Sequence, residues 1–143
     1  MLEESQALVV LNMLPGVGPG RKRVLVESFG SAGAALSASR EELTSLPGVG
    51  RKTANLILGD VYHQPAYVCD THCIRITGRL GLTDGSKDPL QVERQLRAIL
   101  PPEESSDFCH RMVLFGRDVC TARSPKCENC PLRADCAAAK AEK

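Results

Sequence analysis

The chain has 143 residues, of which 43% are hydrophobic and only 3% aromatic, and its formal net charge is +1. This length fits one compact domain or two small lobes, and the composition is sufficient for a core of aliphatic side chains. No run of about 18 apolar residues occurs, so we expect no membrane span. The N-terminus lacks a basic and apolar secretion signal, so we expect a cytoplasmic protein.

The first predicted elements belong to a repeat. The sequence Leu-Pro-Gly-Val-Gly at residues 14–18 recurs at residues 46–50, an offset of 32 residues. Basic residues follow each copy closely although the chain is almost neutral overall, and such local clustering is typical of nucleic-acid binding. They are Arg21 and Lys22 after the first copy, and Arg51 and Lys52 after the second.

Helical patterns surround both copies. An apolar run at residues 7–11 precedes the first copy, and a helix opened by a capping box of Ser39 and Glu42 precedes the second. After the turns, helices are predicted at about residues 21–29 and 51–63. The repeated unit is therefore a helix, a glycine-rich turn and a second helix.

The rest of the chain also has helical patterns. Asp70 is placed to cap a helix, because an Asp side chain accepts hydrogen bonds from the first backbone amides. Asp88 followed by Pro89 opens another helix, since proline suits the first helical turn. The Ala- and Lys-rich tail from residue 137 is expected to fray. The fold class is all-α, with these further helices predicted at about residues 71–81, 89–100 and 106–118.

The two glycine turns have a structure that fits phosphate binding. Glycine lets the backbone adopt positive φ and approach a ligand closely. The helix that follows begins with free N–H groups and the positive end of its dipole, so it can bind a phosphate without reading a base. We therefore predict tandem helix–hairpin–helix units that bind DNA through Gly16 and Gly18, and through Gly48 and Gly50. The alternative is a pair of helical hairpins whose turns bind nothing.

The chain contains seven cysteines, an odd number that argues against a disulfide framework in a protein without a secretion signal. Four of them follow the pattern C-x6-C-x2-C-x5-C, and their thiolates can converge on a [4Fe–4S] cluster if the backbone wraps around it. Structural zinc and free thiols are the alternatives. Cys69, Cys73 and Cys109 lack this spacing and are predicted to be buried apolar side chains. The candidate ligands are Cys120, Cys127, Cys130 and Cys136.

Lys52 and Asp70 are the candidates for catalysis. Lys52 stands at the start of the helix after the second turn, where an amine in a partly dry site can act as a nucleophile. Its attack on C1′ of a deoxyribose would expel the base and form a Schiff base, and β-elimination would then cut the strand. Asp70 would stabilise positive charge on the sugar or help to deprotonate the amine. The simpler alternatives are Lys52 as a phosphate contact and Asp70 as a helix cap.

Three motifs resemble the endonuclease III branch of the helix–hairpin–helix DNA glycosylases. They are Leu-Pro-Gly-Val-Gly-Arg-Lys-Thr-Ala-Asn at residues 46–55, Val-Cys-Asp-Thr-His at residues 68–72 with Arg75, and the four-cysteine loop that ends at Cys136. The motifs occur in the family's order and spacing, and they cover about two-thirds of the chain.

The resemblance implies a bifunctional DNA glycosylase and apurinic/apyrimidinic lyase that acts on oxidised pyrimidines and carries a [4Fe–4S] cluster. It implies that Lys52 forms the Schiff base, that Asp70 is the catalytic aspartate, and that the four clustered cysteines are the cluster ligands. It adds His72 to the DNA-binding residues. The expected partner is double-stranded DNA, damaged or abasic, bound by a monomer located at the nucleoid.

The N-terminal 45 residues resemble a different module, the tandem hairpins of DNA-processing protein A. The endonuclease III family carries a longer segment there, which builds most of its helical barrel and the wall of its base pocket. Flipping a base costs a few kcal/mol, which a pocket and a wedge recover. In this shortened glycosylase architecture we therefore expect lyase activity on abasic sites to survive better than base excision. A DNA-binding module without catalysis is the alternative.

The motifs also suggest a division of the chain into three parts. Residues 1–45 form the first helix–hairpin–helix unit, residues 46–118 form the second unit with a catalytic helical core, and residues 119–143 form the cluster loop and the tail.

Overall fold

The computed structural model of the protein describes residues 2–142, and the chain divides into two compact units, Met1–Ala66 and Tyr67–Lys143. The described residues contain helices and turns but no strand, which confirms the all-α fold class. None of the helices in this part of the chain is both long and apolar enough to cross a membrane. The division into three parts at residues 45 and 118 stays a prediction.

The first unit packs its helices around small and aliphatic side chains. Leu11, Leu25, Leu36 and Leu43 are fully or almost fully buried, so each of the first four helices contributes a leucine to the core. Its helices are α1 (Glu4–Met13), α2 (Pro19–Phe29), α3 (Ala32–Ser37), α4 (Arg40–Thr44) and α5 (Arg51–Leu56).

Local sequence signals begin and end several of these helices. The hydroxyl of Ser39 accepts a hydrogen bond from the Glu42 amide and the Glu42 carboxylate accepts one from the Ser39 amide, which confirms the predicted capping box of α4. Gly30 ends α2 in the left-handed conformation, with φ of 82°. Helix α3 was missed by the sequence prediction. Its N-cap is Ser31, whose side chain accepts a hydrogen bond from Ala34.

The helix predicted at residues 51–63 is shorter and less regular than expected. Its α-helical part ends at Leu56, and a π-helical turn, Ile57–Val61, continues it. The chain then leaves the helical conformation because His63 adopts a positive φ of 52°. The sequence pattern predicted the start of this helix but not its change of pitch.

The second unit contains the remaining helices, and their predicted caps are present. Asp70 accepts a hydrogen bond from the Cys73 amide at 2.8 Å, and Asp88 accepts one from the Leu90 amide at 3.1 Å. Gly81 ends the first of these helices with φ of 83°. The helices are α6 (Thr71–Leu80), α7 (Pro89–Ile99), α8 (Ser105–Asp118) and α9 (Ala137–Ala141).

The three cysteines outside the cluster pattern lie in the core of the second unit. Cys69, Cys73 and Cys109 are 9%, 0% and 2% exposed, as predicted for buried apolar side chains. Hydrogen bonds to Cys109 and Cys69, together with burial, raise the pKa of the Cys73 thiol far above its usual range. This thiol therefore stays protonated and acts as a small core side chain.

Helix α9 corrects the expectation of a frayed tail. Ala137–Ala141 forms a short helix that contacts α6. Gly81 permits this contact, since a Cβ built at Gly81 would lie only 2.9 Å from the Ala137 side chain. The close packing follows directly after Cys136, so the end of the cluster loop is seated against the end of α6.

Candidate functional site

The two glycine turns have nearly the same backbone conformation. Gly16 and Gly48 adopt φ of 77° and 76°, values that strongly favour glycine. Gly18 and Gly50 are the extended N-cap residues of α2 and α5. The valine of each turn is buried, with 4% exposure in both cases, and ties the turn to the core. The structure thus contains two equivalent hairpins.

The hairpins differ in the first residues of the helix that follows. In the first hairpin the opening helical positions hold Pro19 and Gly20, whereas in the second they hold Arg51 and Lys52. Pro19 and Gly20 form the first two positions of α2. The basic residues Arg21 and Lys22 therefore lie about half a turn further from the helix start than Arg51 and Lys52 do in α5. Only the second hairpin therefore presents a lysine at its helix start.

The basic residues of the first hairpin make hydrogen bonds within the first unit. Arg21 donates from Nε to the carbonyl oxygen of Gly48 at 3.1 Å, so it links α2 to the second hairpin. Lys22 donates from Nζ to the carbonyl oxygen of Asn12 at 2.6 Å, near the end of α1. Both side chains thus make hydrogen bonds within the protein. Their role as DNA contacts stays a prediction.

Replacing Arg21 by methionine is expected to loosen the second hairpin. The lost hydrogen bond is exposed and contributes about 1 kcal/mol, so the Val49 amide should exchange with solvent about fivefold faster. Amide hydrogen exchange followed by NMR measures this change. Lys22→Met is the matched control because its bond reaches Asn12 instead. Equal exchange rates at Val49 in the wild type and Arg21→Met would contradict a bracing role.

Lys52 lies in the first unit, at the second position of α5. Its side chain is exposed, and its ammonium makes no hydrogen bond or ion pair with the residues that the structure describes. The neighbouring Thr53 and Ala54 are buried and fix the helix below it. The amine is therefore held on a packed helix while its tip is accessible from solvent.

Asp70 lies in the second unit, where it caps α6. Its Oδ1 accepts the hydrogen bond from Cys73, whereas its Oδ2 accepts none from the described part of the chain. The predicted alternative of a helix cap is thus correct, but the cap uses only one carboxylate oxygen. The second oxygen remains available to a ligand.

His72 and Arg75 lie about one turn apart on α6, and both approach Gly116 of α8. The Arg75 guanidinium lies 3.2 Å from Nδ1 of His72 and donates to the carbonyl oxygen of Cys120 at 2.9 Å. A Cβ built at Gly116 would approach Nδ1 of His72 to 2.5 Å. Glycine at this position of α8 therefore leaves room for the His72 ring, which is half-buried.

The four clustered cysteines come together around one cavity of about 170 Å³ in the second unit. None of them forms a disulfide, and all four are partly buried. Hydrogen bonds between backbone groups of the loop, such as Cys130 N–H to Cys127 and Cys136 N–H to Arg133, keep it wrapped around the cavity. The cavity is lined by Cys120, Cys127, Cys130 and Cys136, together with the cationic residues Arg79, Lys126 and Arg133.

This donor set suits an iron–sulfur cluster. Four thiols around one cavity can hold a group of several atoms, with one thiolate at each iron. The cationic lining favours the negative charge of thiolate ligands.

Arg79 contacts the cluster loop, and the sequence analysis did not single it out. Its Nη1 donates to Sγ of Cys120 at 3.3 Å and to the carbonyl oxygen of Thr121 at 2.8 Å. Its Nη2 donates to the carbonyl oxygen of Ala122 at 2.9 Å. The signal in the sequence was the spacing of Arg75 and Arg79, which places two arginines on one face of α6.

The models of two domain families match parts of the chain. Residues 9–58 match the SAM-like helix-hairpin-helix tandem, which covers both glycine turns. Residues 120–136 match the iron-sulfur binding domain of endonuclease III, and this match begins and ends at cysteines of the predicted cluster. The match and the relatives below assign a [4Fe–4S] cluster to the chain as its cofactor.

Curated relatives extend the similarity to most of the chain. Endonuclease III of Bacillus subtilis is 40% identical over 114 residues, which are 80% of this chain and 51% of that protein. Endonuclease III of Thermotoga maritima is 41% identical over 114 residues, which are 80% of this chain and 52% of that protein. The chain thus spans about half the length of the curated relatives it matches.

Solved structures share the fold. A trapped covalent intermediate of endonuclease III with DNA has a TM-score of 0.75 and 39% identity, over 86% of this chain and 58% of that chain. A non-covalent complex of endonuclease III with DNA has a TM-score of 0.72 and 38% identity, over 86% of this chain and 56% of that chain. The resemblance seen in the three sequence motifs is therefore confirmed by alignments that cover at least four-fifths of this chain in sequence and in fold.

Proposed function

Because the chain is related to endonuclease III over four-fifths of its length, we propose that it is a DNA-repair enzyme, a DNA glycosylase and apurinic/apyrimidinic lyase. Its substrates are duplex DNA with damaged pyrimidines or abasic sites. The observation that carries the proposal is the exposed, unpaired amine of Lys52 at the second hairpin, in a chain whose structural relative has been trapped in covalent linkage to DNA.

Lys52 supplies the nucleophile. At an abasic site its amine adds to the C1′ aldehyde of the sugar, and loss of water leaves an imine that links nitrogen to C1′. Removal of a proton from C2′ then expels the 3′-phosphate and cuts the strand, after which water releases the enzyme from the sugar. At a damaged nucleotide the same attack breaks the bond between C1′ and the base. A covalent intermediate divides each reaction into easier steps.

Asp70 supplies a carboxylate for the positive charge that develops on the sugar. Its Oδ1 is used by the cap of α6, and its Oδ2 is the oxygen left for substrate. The carboxylate is therefore oriented by its own helix before DNA binds, and such fixed charges stabilise transition states without reorganisation.

DNA is held by the hairpins through its phosphates. We assign phosphate contacts to the amides around Gly18 and Gly50 and to the basic side chains near them. The affinity should therefore fall as the salt concentration rises. The proposed contacts are Gly16, Gly18, Arg21, Lys22, Gly48, Gly50, Arg51 and His72, in a protein that acts as a monomer at the nucleoid.

The four cysteines around the cavity are proposed as the cluster ligands: Cys120, Cys127, Cys130 and Cys136. When bound, the cluster supplies a rigid crosslink for a loop that has only short 3-10 and α-helical pieces of its own. The chemistry at the sugar is left to the amine and the carboxylate.

Borohydride trapping on two duplexes tests this function. We expect the wild-type protein to form a stable adduct with an abasic duplex, because hydride reduces the imine to an amine. With a thymine-glycol duplex we expect at least about a tenfold slower reaction, because flipping the base costs a few kcal/mol. Equal rates on both duplexes would contradict this ranking. Binding to duplex DNA with no adduct on either substrate would instead support a binding module without catalysis.

A further inference from the structure

One arginine contacts the cluster loop at several points. The guanidinium of Arg79 makes hydrogen bonds to Sγ of Cys120 and to the carbonyl oxygens of Thr121 and Ala122, at distances of 2.8 to 3.3 Å. These residues are the first candidate ligand and the two that follow it. A single side chain from α6 therefore fixes the position where the loop leaves α8 and enters the cavity.

The backbone of the same residue lies beside the last candidate ligand. Sγ of Cys136 is 3.4 Å from the carbonyl oxygen of Arg79. Two residues later the close approach of Gly81 to Ala137 holds the chain after Cys136 against α6. The end of α6 thus contacts both ends of the four-cysteine loop, one through a side chain and the other through the backbone.

An N–H group aimed at a sulfur ligand has an electrostatic consequence. A thiolate ligand carries more negative charge when the centre is reduced, so a cationic hydrogen-bond donor stabilises the reduced state more than the oxidised state. Hydrogen bonds to the sulfurs and local charge are among the factors that set the potentials of iron–sulfur proteins. Other cationic side chains line the cavity, but in the described part of the chain Arg79 is the arginine that donates to a cysteine sulfur.

We propose that Arg79 is a positioning residue of the iron–sulfur site, which holds the loop at Cys120 and raises the reduction potential of the centre through its hydrogen bond to Sγ. This inference rests on the assigned cluster and on the contacts of Arg79. It does not rest on the activity proposed for Lys52, and its test needs no DNA.

The test compares three variants of the cluster-loaded protein without DNA. Arg79→Met removes the charge and the hydrogen bonds, and Arg79→Lys keeps the charge but loses the planar two-point fork. Arg133→Met is the matched control, because Arg133 lines the same cavity and its guanidinium donates no hydrogen bond in the part of the chain described. The reduction potential is measured by voltammetry, and loss of visible absorption is followed in the presence of a chelator.

In Arg79→Met we expect the equilibrium between the reduced and the oxidised centre to shift about tenfold toward the oxidised form. This corresponds to a potential lower by about 59 mV for one electron. Arg79→Lys should lie between this variant and the wild type, and Arg133→Met should shift the potential less. Both Arg79 variants should lose the centre to the chelator faster than the wild type.

The outcomes separate this inference from the proposed function. A potential in Arg79→Met equal to that of the wild type or of Arg133→Met overturns it. If neither Arg79 variant assembles the centre while Arg133→Met does, the positioning role is supported. Failure of the wild type to cut DNA, with the potential shift present, refutes the proposed function and leaves the role of Arg79 standing.

Discussion

Lys52→Ala is expected to form no adduct with an abasic duplex under borohydride and to cut the strand at least about a thousandfold more slowly than the wild type. The methyl group left at this position cannot form an imine, and removal of a nucleophile is among the largest effects of a single substitution in an enzyme. Affinity for the duplex should change much less, because the substitution removes only one of several positive charges proposed to contact phosphates.

Two further variants test whether this result is specific to the amine of Lys52. Lys52→Arg keeps the positive charge but not the amine, so it should bind DNA like the wild type and still form no adduct. Lys87→Ala removes an exposed lysine from the segment between α6 and α7 and should trap DNA normally. Adduct formation by Lys52→Ala at the wild-type rate would show that another amine reacts, and it would refute the assignment of Lys52.

Cys130→Ala is expected to give a colourless protein without iron. Each iron of the cluster needs a thiolate, and the short-range backbone hydrogen bonds of the loop cannot replace the lost ligand. Iron analysis and visible absorption measure the loss, and faster proteolysis between residues 120 and 136 would report the loosened loop.

The matched control for this substitution is Cys109→Ala. Cys109 is buried in the same unit but does not line the cavity. Its variant should keep the wild-type iron content and lose only the packing of one sulfur atom and its hydrogen bond with Cys73. Full iron content in Cys130→Ala would remove Cys130 from the ligand set, and zinc in place of iron in the wild type would contradict the cluster assignment.

The sequence predicted the features that depend on neighbouring residues. Asp70, Asp88 and Gly81 act within their own helices, so their caps could be identified from type and spacing alone. The two glycine turns and the four-cysteine loop are also short segments with strong residue preferences. These signals were sufficient for the all-α class and for the family resemblance.

The missed features depend on residues far apart in the chain. Arg21 reaches Gly48 and Arg79 reaches Cys120, and no local pattern indicates which carbonyl or sulfur a long side chain will find. Helix α9 was expected to fray because its composition is low in complexity. Its contact with α6 orders it, and this contact is possible because residue 81 has no side chain.

The pair of hairpins makes the protein asymmetric toward its ligand. The same backbone shape occurs twice, but Pro19 and Gly20 stand where the second copy has Arg51 and Lys52. Phosphate contacts through backbone amides are expected at both turns, whereas the imine proposed for Lys52 forms at the second hairpin. A saturated reaction should therefore link one DNA strand to each protein molecule.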